Sequence, residues 1–328
     1  MLDRKVAVTI VSGFLGAGKT TLVNHVLEAA PNARIGVIVN EYGEVGVDGD
    51  LIVASERPVL EIRNGCICCT VRTDLVAAVK DLLGRADVVI DRLIIETSGL
   101  ADPAPVLQSF LADADLIAST QLESVVCVVD AVHFRAQIGN PIADEQLAFA
   151  DLVVLNKLDQ VEAADIPGIE QTIRMMNPTA SIVRATRSVV QVDTIIGQRR
   201  FDLPNLLEIE PALLTDAHDH EHDASIISCC IEADGALDPA RFNAWIGGLV
   251  AARSADLLRM KGILRFAGEA RPFIFHGVHM LLECRPGRLA RDGLPHSSRL
   301  VLIGRDLDAA ALQQALLNCC AEPSLAAA

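Results

Sequence analysis

The fold of this chain is decided by the stretch Val6-Ala7-Val8-Thr9-Ile10-Val11-Ser12-Gly13-Phe14-Leu15-Gly16-Ala17-Gly18-Lys19-Thr20. Its first part, Val6–Val11, is an apolar run rich in β-branched residues, which predicts a buried strand. Its second part, Gly13–Thr20, fits the pattern G-x-x-x-x-G-K-[ST], and a helical stretch, Thr20–Ala30, follows it. This order of strand, glycine-rich loop and helix predicts a phosphate-binding loop.

Each residue type in the loop has a physical reason to be there. The glycines let backbone N–H groups turn inward around phosphates, and Lys19 can reach the β- and γ-phosphates. The Thr20 hydroxyl can ligate Mg²⁺. We predict that Lys19 is also catalytic, and that nucleotide is bound by Gly13, Gly16, Ala17, Gly18, Lys19, Thr20 and Thr21.

Strands and helices alternate after the loop, which predicts an α/β fold: a P-loop NTPase with a mainly parallel sheet. The predicted strands are Val6–Val11, Ile35–Val39, Leu93–Ile95, Val125–Val129, Leu152–Leu155 and Ile182–Val183. The predicted helices are Thr20–Ala30, Leu75–Leu83, Pro105–Leu111, Asp144–Ala150 and Ile169–Met176.

The texture of the sequence changes after about residue 202. We expect a P-loop domain over residues 1–203, a His/Asp-rich linker over 204–224, a smaller α+β domain over 225–320 and a frayed tail over 321–328. In the second domain the predicted strands are Ile226–Ile231, Ile263–Phe266, Pro272–Leu282 and Leu300–Ile303, and the predicted helices are Pro239–Ala252 and Leu307–Leu317.

Composition excludes several classes of partner. The net charge is −15 without a stripe of Lys and Arg, so we expect no nucleic-acid partner. No apolar run approaches the ~18–20 residues that span a bilayer, so we expect no membrane partner. The nine cysteines fall in a cluster, adjacent pairs and singles, which is unlike a disulfide framework and indicates a cytoplasmic protein.

Two further segments fit a nucleotide site. Asp159 of Asn156-Lys157-Leu158-Asp159 can accept hydrogen bonds from guanine N1–H and its amino group; adenine offers neither donor, so GTP is favoured over ATP. Lys157 would lie along the base, and Asn156 would brace the loops. In Glu96-Thr97-Ser98-Gly99, Glu96 can hold Mg²⁺ and Gly99 can bring its N–H to the γ-phosphate, so both are predicted catalytic residues.

Three thiols lie within four residues at Cys66, Cys68 and Cys69. Thiolates are soft ligands suited to Zn²⁺, Cu⁺ and Co²⁺. A site built from them lacks a ligand, which Glu44 of the predicted switch segment Asn40–Asp48 or a histidine could supply. A redox switch, buried packing cysteines and a catalytic nucleophile are the alternatives from spacing alone.

Three histidines, His218, His220 and His222, alternate with acidic residues in the predicted linker. Such tracts bind divalent metals weakly and promiscuously. A solvated acidic linker explains the same residues equally well.

The combination of Gly13–Thr20, Asn40–Glu44, Asn64–Cys69, Glu96–Pro103 and Asn156–Asp159 resembles the CobW/YjiA family of P-loop GTPases. The resemblance covers essentially the whole chain, because the second domain is similar to the family's second domain at Lys261–Leu264 and Ser298–Gly304.

The resemblance implies GTP hydrolysis with Mg²⁺ held by Thr20 and Glu96. It also implies Zn²⁺ or Co²⁺ at Cys66, Cys68 and Cys69, with Glu44 as a further candidate ligand. Relatives serve cobalamin synthesis, nitrile hydratase maturation and zinc supply, so the implied partner is a client metalloprotein or cobalt-insertion machinery. A dimer that depends on nucleotide or metal is one possible assembly.

We therefore expect a GTP-hydrolysing metallochaperone whose nucleotide state controls its metal. The second reading is a metal buffer or sensor with incidental GTPase activity, which predicts tight metal binding that ignores nucleotide. The third is a P-loop kinase or transferase with structural cysteines, which predicts ATP use and is disfavoured by Asn156–Asp159.

Overall fold

A computed structural model of the protein describes residues 5–42, 59–64, 70–85, 89–201, 226–287 and 297–321. The chain forms two compact units. The first comprises Met1–Ile173 with Ala180–Leu206, and the second comprises Arg174–Thr179 with Leu207–Ala328.

The first unit is built on a parallel sheet of seven strands. They are β1 (Val6–Ser12), β2 (Ile35–Tyr42), β3 (Val59–Asn64), β4 (Arg92–Thr97), β5 (Thr120–Asp130), β6 (Leu152–Asn156) and β7 (Ser181–Arg184). Their order across the sheet is β3-β2-β4-β1-β5-β6-β7. The aliphatic runs of the sequence form the buried centre of this sheet, with Val8, Ile10 and Leu93 fully buried.

Helices connect the parallel strands, as a parallel sheet requires. They are α1 (Lys19–Ala29), α2 (Thr70–Gly84), α3 (Ala104–Ala112), α4 (Ala114–Ser119), α5 (Phe134–Gln137), α6 (Pro141–Ala148), α7 (Ile166–Met176) and α8 (Val192–Ile195), with a 3₁₀ turn at Leu158–Gln160. In the described part of the chain, no helix combines the length and apolar character needed to cross a membrane.

The predicted parallel α/β architecture is confirmed, with two local differences. β3 is a strand that the sequence did not predict, because its apolar residues alternate with Glu61 and Arg63 at the edge of the sheet. β2 continues to Tyr42, so Asn40–Tyr42 belong to a strand rather than to the predicted switch segment. The rest of that segment lies outside the described residues.

The second unit holds an antiparallel sheet of five strands in the order β11-β10-β9-β12-β8. The strands are β8 (Ile227–Asp234), β9 (Leu257–Leu264), β10 (Phe273–Val278), β11 (Leu281–Pro286) and β12 (Ser297–Gly304), and the helices are α9 (Pro239–Arg253) and α10 (Ala309–Leu317). The predicted smaller α+β domain is thus confirmed.

Two predicted strands of this unit were wrong in their extent. The segment Pro272–Leu282 forms two strands rather than one, because the chain turns at His279, whose φ is 49°. β9 begins at Leu257 instead of Ile263. Its first half carries Arg259 and Lys261, which are buried and which interrupt the apolar pattern.

An aromatic cluster centres on Phe242 of α9. Its ring meets those of Trp245, Phe266 and Phe275 edge to face, with centroids 5.6–5.7 Å apart. Phe242 is 1% exposed. In a chain so poor in aromatic residues, this cluster anchors the helix to the antiparallel sheet.

We expect Phe242→Ala to destabilise the second unit by about 3–5 kcal/mol, because it removes a buried ring and leaves a cavity. Urea unfolding followed by circular dichroism measures the loss. Leu317→Ala on α10 is the control; Leu317 is 41% exposed and its loss should stay within about 0.5 kcal/mol. Equal effects of the two changes would contradict this account of the core.

Candidate nucleotide site

The phosphate loop joins β1 to α1 and needs glycine at two close contacts. A Cβ atom on Gly13, where φ is 135°, would lie 2.2 Å from the Val128 carbonyl oxygen of β5. One on Gly18, where φ is 109°, would lie 2.6 Å from Nδ2 of Asn156. The loop therefore packs directly on its neighbours, and any side chain at these positions would displace it.

Lys19 and Gly99 are brought together by this packing. Lys19 is 7% exposed, and its Nζ lies 3.4 Å from the Phe14 carbonyl oxygen. A Cβ atom on Gly99 would lie 3.1 Å from that Nζ and 2.7 Å from the backbone nitrogen of Leu15. Two of the predicted catalytic residues thus face the same point, where Gly99 has no room for a side chain.

Thr20 and Glu96 form the third part of the site. The Thr20 hydroxyl donates a 2.7 Å hydrogen bond to Oε1 of Glu96. Glu96 lies at the end of β4 and is 2% exposed. Hydroxyl and carboxylate oxygens are the hard ligands that Mg²⁺ prefers. The two side chains therefore fit a Mg²⁺ ion bound together with nucleotide phosphates.

Asn156, at the end of β6, ties two loops together with both ends of its amide. Nδ2 donates to the Ala17 carbonyl oxygen and to Oγ of Ser188, each at 2.9 Å, and Oδ1 accepts the Ser188 N–H at 2.8 Å. Ser188 in turn donates from Oγ to the Gly18 carbonyl oxygen at 3.0 Å.

Ser188 is a site residue that sequence reasoning missed. The only available signal was the polar run Thr186-Arg187-Ser188 after β7. This run follows the carboxyl end of its strand, as the phosphate loop does after β1. Arg187 and Ser188 both have positive φ, 50° and 58°, which shows how sharply the chain turns there.

Lys157 is held by a second residue that the sequence analysis overlooked, Asp130 at the end of β5. Oδ2 of Asp130 accepts hydrogen bonds from Lys157 Nζ at 2.7 Å and from the His133 ring at 2.8 Å. Burial raises the pKa of the Asp130 carboxyl, but the bonds from Lys157 and His133 outweigh burial and hold that pKa below its ordinary value. The carboxylate therefore holds the ammonium group of Lys157 beside the end of β5.

The remaining predicted nucleotide residues take up different positions. Asp159 is exposed on the 3₁₀ turn, so its carboxylate is open to a ligand. Thr21 is exposed on α1, and Ala17 is fully buried in the loop.

The predicted metal ligands Cys66, Cys68, Cys69 and Glu44 lie outside the described residues, as do His218, His220 and His222. Among the residues that the structure does describe, no group of three or more His, Cys, Asp and Glu is arranged to hold a metal ion. Burial raises the pKa of the Cys127 thiol, near the phosphate loop, to about 12, so this thiol is neutral in the ligand-free protein.

We expect Asn156→Ala to weaken nucleotide binding by at least about tenfold, because it leaves the buried Ser188 N–H without its acceptor and frees the phosphate loop. Titration with a fluorescent GDP analogue measures the affinity. Gln160→Ala, an exposed change on the adjacent 3₁₀ turn, is the control and should leave affinity unchanged. Wild-type affinity in the Asn156 variant would show that the brace is dispensable.

The sequence matches two family models. Residues 7–184 match the CobW/HypB/UreG nucleotide-binding domain, and residues 226–320 match the cobalamin synthesis protein cobW C-terminal domain. Zinc chaperone YjiA of Escherichia coli is 34% identical over 92% of this chain and 95% of its own length. Zinc chaperone CobW of a Sinorhizobium species is 31% identical over 95% of this chain and 96% of its own.

A solved structure agrees with these matches. The crystal structure of Zn(II)-bound YjiA GTPase from Escherichia coli aligns with a TM-score of 0.75 and 26% identity, over 96% of this chain and 99% of that one. The fold, the phosphate loop and the sequence matches lead to one conclusion: the chain belongs to the CobW/HypB/UreG family of P-loop GTPases.

Proposed function

We propose that this protein is a GTP-dependent zinc chaperone. In this proposal Cys66, Cys68 and Cys69 hold Zn²⁺ as cargo, with Glu44 as a further ligand, and a client metalloprotein receives it. Zinc is preferred over cobalt because relatives that match almost the full chain are named zinc chaperones. A reducing cytoplasm is the proposed location, since it keeps such thiols able to bind metal.

The elements on either side of the cysteine run support the proposal. β3 ends at Asn64 and α2 begins at Thr70, so the run follows directly on a strand of the parallel sheet. β3 is separated from β4, which carries Glu96, by one strand only. Adjacent strands lie about 4.8 Å apart, so the ends of β3 and β4 are roughly 10 Å apart. In this proposal, a small movement at the nucleotide phosphates passes from the end of β4 to the end of β3, where the chain continues into the cysteine run.

In the proposed mechanism of GTP hydrolysis, each group at the phosphate end of the site has a role. The phosphate loop and Lys19 hold the β- and γ-phosphates, and the Gly99 N–H contacts the γ-phosphate beside Lys19. When bound, Mg²⁺ held by Thr20 and Glu96 would neutralise charge that develops on the phosphate oxygens. Because Gly99 touches Leu15 and approaches Lys19, the segment after β4 can respond to the presence of the γ-phosphate.

GTP then favours the metal-loaded form, and hydrolysis favours release to the client. This coupling requires that zinc affinity differ between the GTP- and GDP-bound protein. By thermodynamic linkage, zinc must change GTP affinity relative to GDP affinity by the same factor.

Guanine selection is tested at Asp159. Asp159→Ala should reduce GTP affinity by roughly 10- to 100-fold and leave the weak ATP affinity unchanged, because it removes a charged acceptor of two hydrogen bonds from guanine. Isothermal titration with GTP and ATP gives both values. Asp193→Ala on α8, also an exposed acidic position, is the control. A parallel loss for both nucleotides would contradict base recognition by Asp159.

The cysteine site is tested by replacing Cys66, Cys68 and Cys69 with serine together. We expect tight zinc binding to be lost while nucleotide binding persists, because a hydroxyl is a much poorer zinc ligand than a thiolate. Competition with a chromogenic chelator measures the zinc affinity. Cys284→Ser, an exposed thiol on β11, is the matched control and should bind zinc as the wild type does.

The same assay on GTP- and GDP-loaded protein tests the coupling. Unequal zinc affinities support the chaperone cycle. Equal affinities would instead favour a zinc buffer or sensor whose GTPase activity is incidental. Tighter binding of Co²⁺ than of Zn²⁺ would assign the cargo to cobalt.

A further inference from the structure

A buried glutamine on α6 contacts the segment that follows β4. Gln146 is 1% exposed, and its Nε2 donates hydrogen bonds to the carbonyl oxygens of Gly99 at 3.3 Å and Ala101 at 3.1 Å. Both amide hydrogens therefore bond to the short loop after β4. The sequence predicted only the γ-phosphate contact of Gly99 for this loop.

The chemistry of this contact permits one orientation of the amide. Two carbonyl oxygens can be faced only by the –NH₂ end, because the amide oxygen would repel them. In the described part of the chain, Oε1 of Gln146 is buried and accepts no hydrogen bond. The side chain therefore tolerates an unsatisfied acceptor while it holds the loop, and the bonds to the loop are what orient it.

Gln146 and the phosphate loop both restrain Gly99. Gly99 packs against Leu15 and approaches Nζ of Lys19. Gln146 holds its carbonyl oxygen. Glycine rotates more freely about φ and ψ than other residues. Holding its carbonyl restricts ψ, and the close packing on Leu15 further limits how far the residue can turn its N–H. A small cavity of about 20 Å³, lined among others by Phe14, Cys127 and Gln146, places the same glutamine beside the phosphate loop.

We propose that Gln146 is a positioning residue for GTP hydrolysis. By holding the carbonyl groups of Gly99 and Ala101, it restricts the backbone rotation of Gly99 and so helps to keep the Gly99 N–H directed toward the γ-phosphate. It touches neither nucleotide nor metal and acts only through Gly99. This inference rests on the proposed γ-phosphate contact of Gly99.

The main test is Gln146→Met, which keeps the length of the side chain and removes both donors. We expect kcat for GTP to fall about tenfold or more, because displacing a group that contacts the reacting phosphate is costly even when the displacement is small. The preference for GTP over GDP should fall by a similar factor, while GDP affinity, which needs no γ-phosphate contact, stays within about twofold. Single-turnover hydrolysis and titration with both nucleotides give these values.

A second variant keeps the test decisive if the first is poorly folded. Gln146→Glu has nearly the same shape, but its carboxylate repels the two carbonyl groups, so its kcat should fall further at pH 8. Burial raises the pKa of such a carboxyl, and its protonated form can donate one hydrogen bond. The ratio of variant to wild-type kcat should therefore rise as pH is lowered from 8 to 6.

The matched control is Gln137→Met on α5, which borders the same cavity and makes no side-chain hydrogen bond to the loop in the described structure. It should hydrolyse GTP as the wild type does. Unchanged kcat and unchanged GTP preference in both Gln146 variants would overturn the proposal. Equal losses of GTP and GDP affinity, with a lowered melting temperature and a flat pH ratio, would overturn it as well, since they indicate a structural role only.

Gly99→Ala distinguishes failure of the proposed γ-phosphate contact of Gly99 from failure of the role proposed for Gln146. A Cβ at that position meets Leu15, so hydrolysis should be lost if Gly99 contacts the γ-phosphate. Full activity of Gly99→Ala would contradict the proposed contact itself. If Gly99→Ala loses activity while both Gln146 variants keep wild-type activity, only the role proposed for Gln146 is contradicted.

Discussion

The hydrogen bonds of the Asn156 amide are the interaction on which the phosphate-loop end of the first unit depends. The amide bonds the phosphate loop through Ala17 and the loop after β7 through Ser188, so three separate strand ends share one side chain. Because Gly18 has no Cβ, the amide can approach the loop closely enough to do this. The phosphate loop is therefore held by residues that lie far from it in sequence.

Other buried polar groups lie at the carboxyl ends of the neighbouring parallel strands. Glu96, Asp130 and Asn156 stand at the ends of β4, β5 and β6, and each is nearly inaccessible to solvent. Buried carboxylates and amides are retained when they have partners, and here Thr20, Lys157 and Ser188 provide them. These hydrogen bonds hold the polar side chains in place in the ligand-free protein, which suits a site that binds a nucleotide.

Much of this could be predicted from the sequence, because continuous aliphatic runs and the glycine pattern have few structural solutions. The parallel sheet, the phosphate loop and the Asn156 brace follow from local patterns. Ser188, Asp130 and Gln146 could not be predicted, since each acts on residues brought near it only by folding. β3 and the first half of β9 were missed for a related reason: charged residues within them obscure the strand pattern, and only the position in the sheet explains why they are accommodated.

The position of Trp245, whose ring meets that of Phe242 edge to face, has a practical consequence. Trp245 is the single tryptophan of the chain, and it belongs to the antiparallel unit. Its intrinsic fluorescence therefore arises from that unit alone, and the nucleotide-binding unit is silent when tryptophan is excited selectively. Tryptophan fluorescence can therefore report unfolding of the second unit while guanine nucleotides are bound to the first.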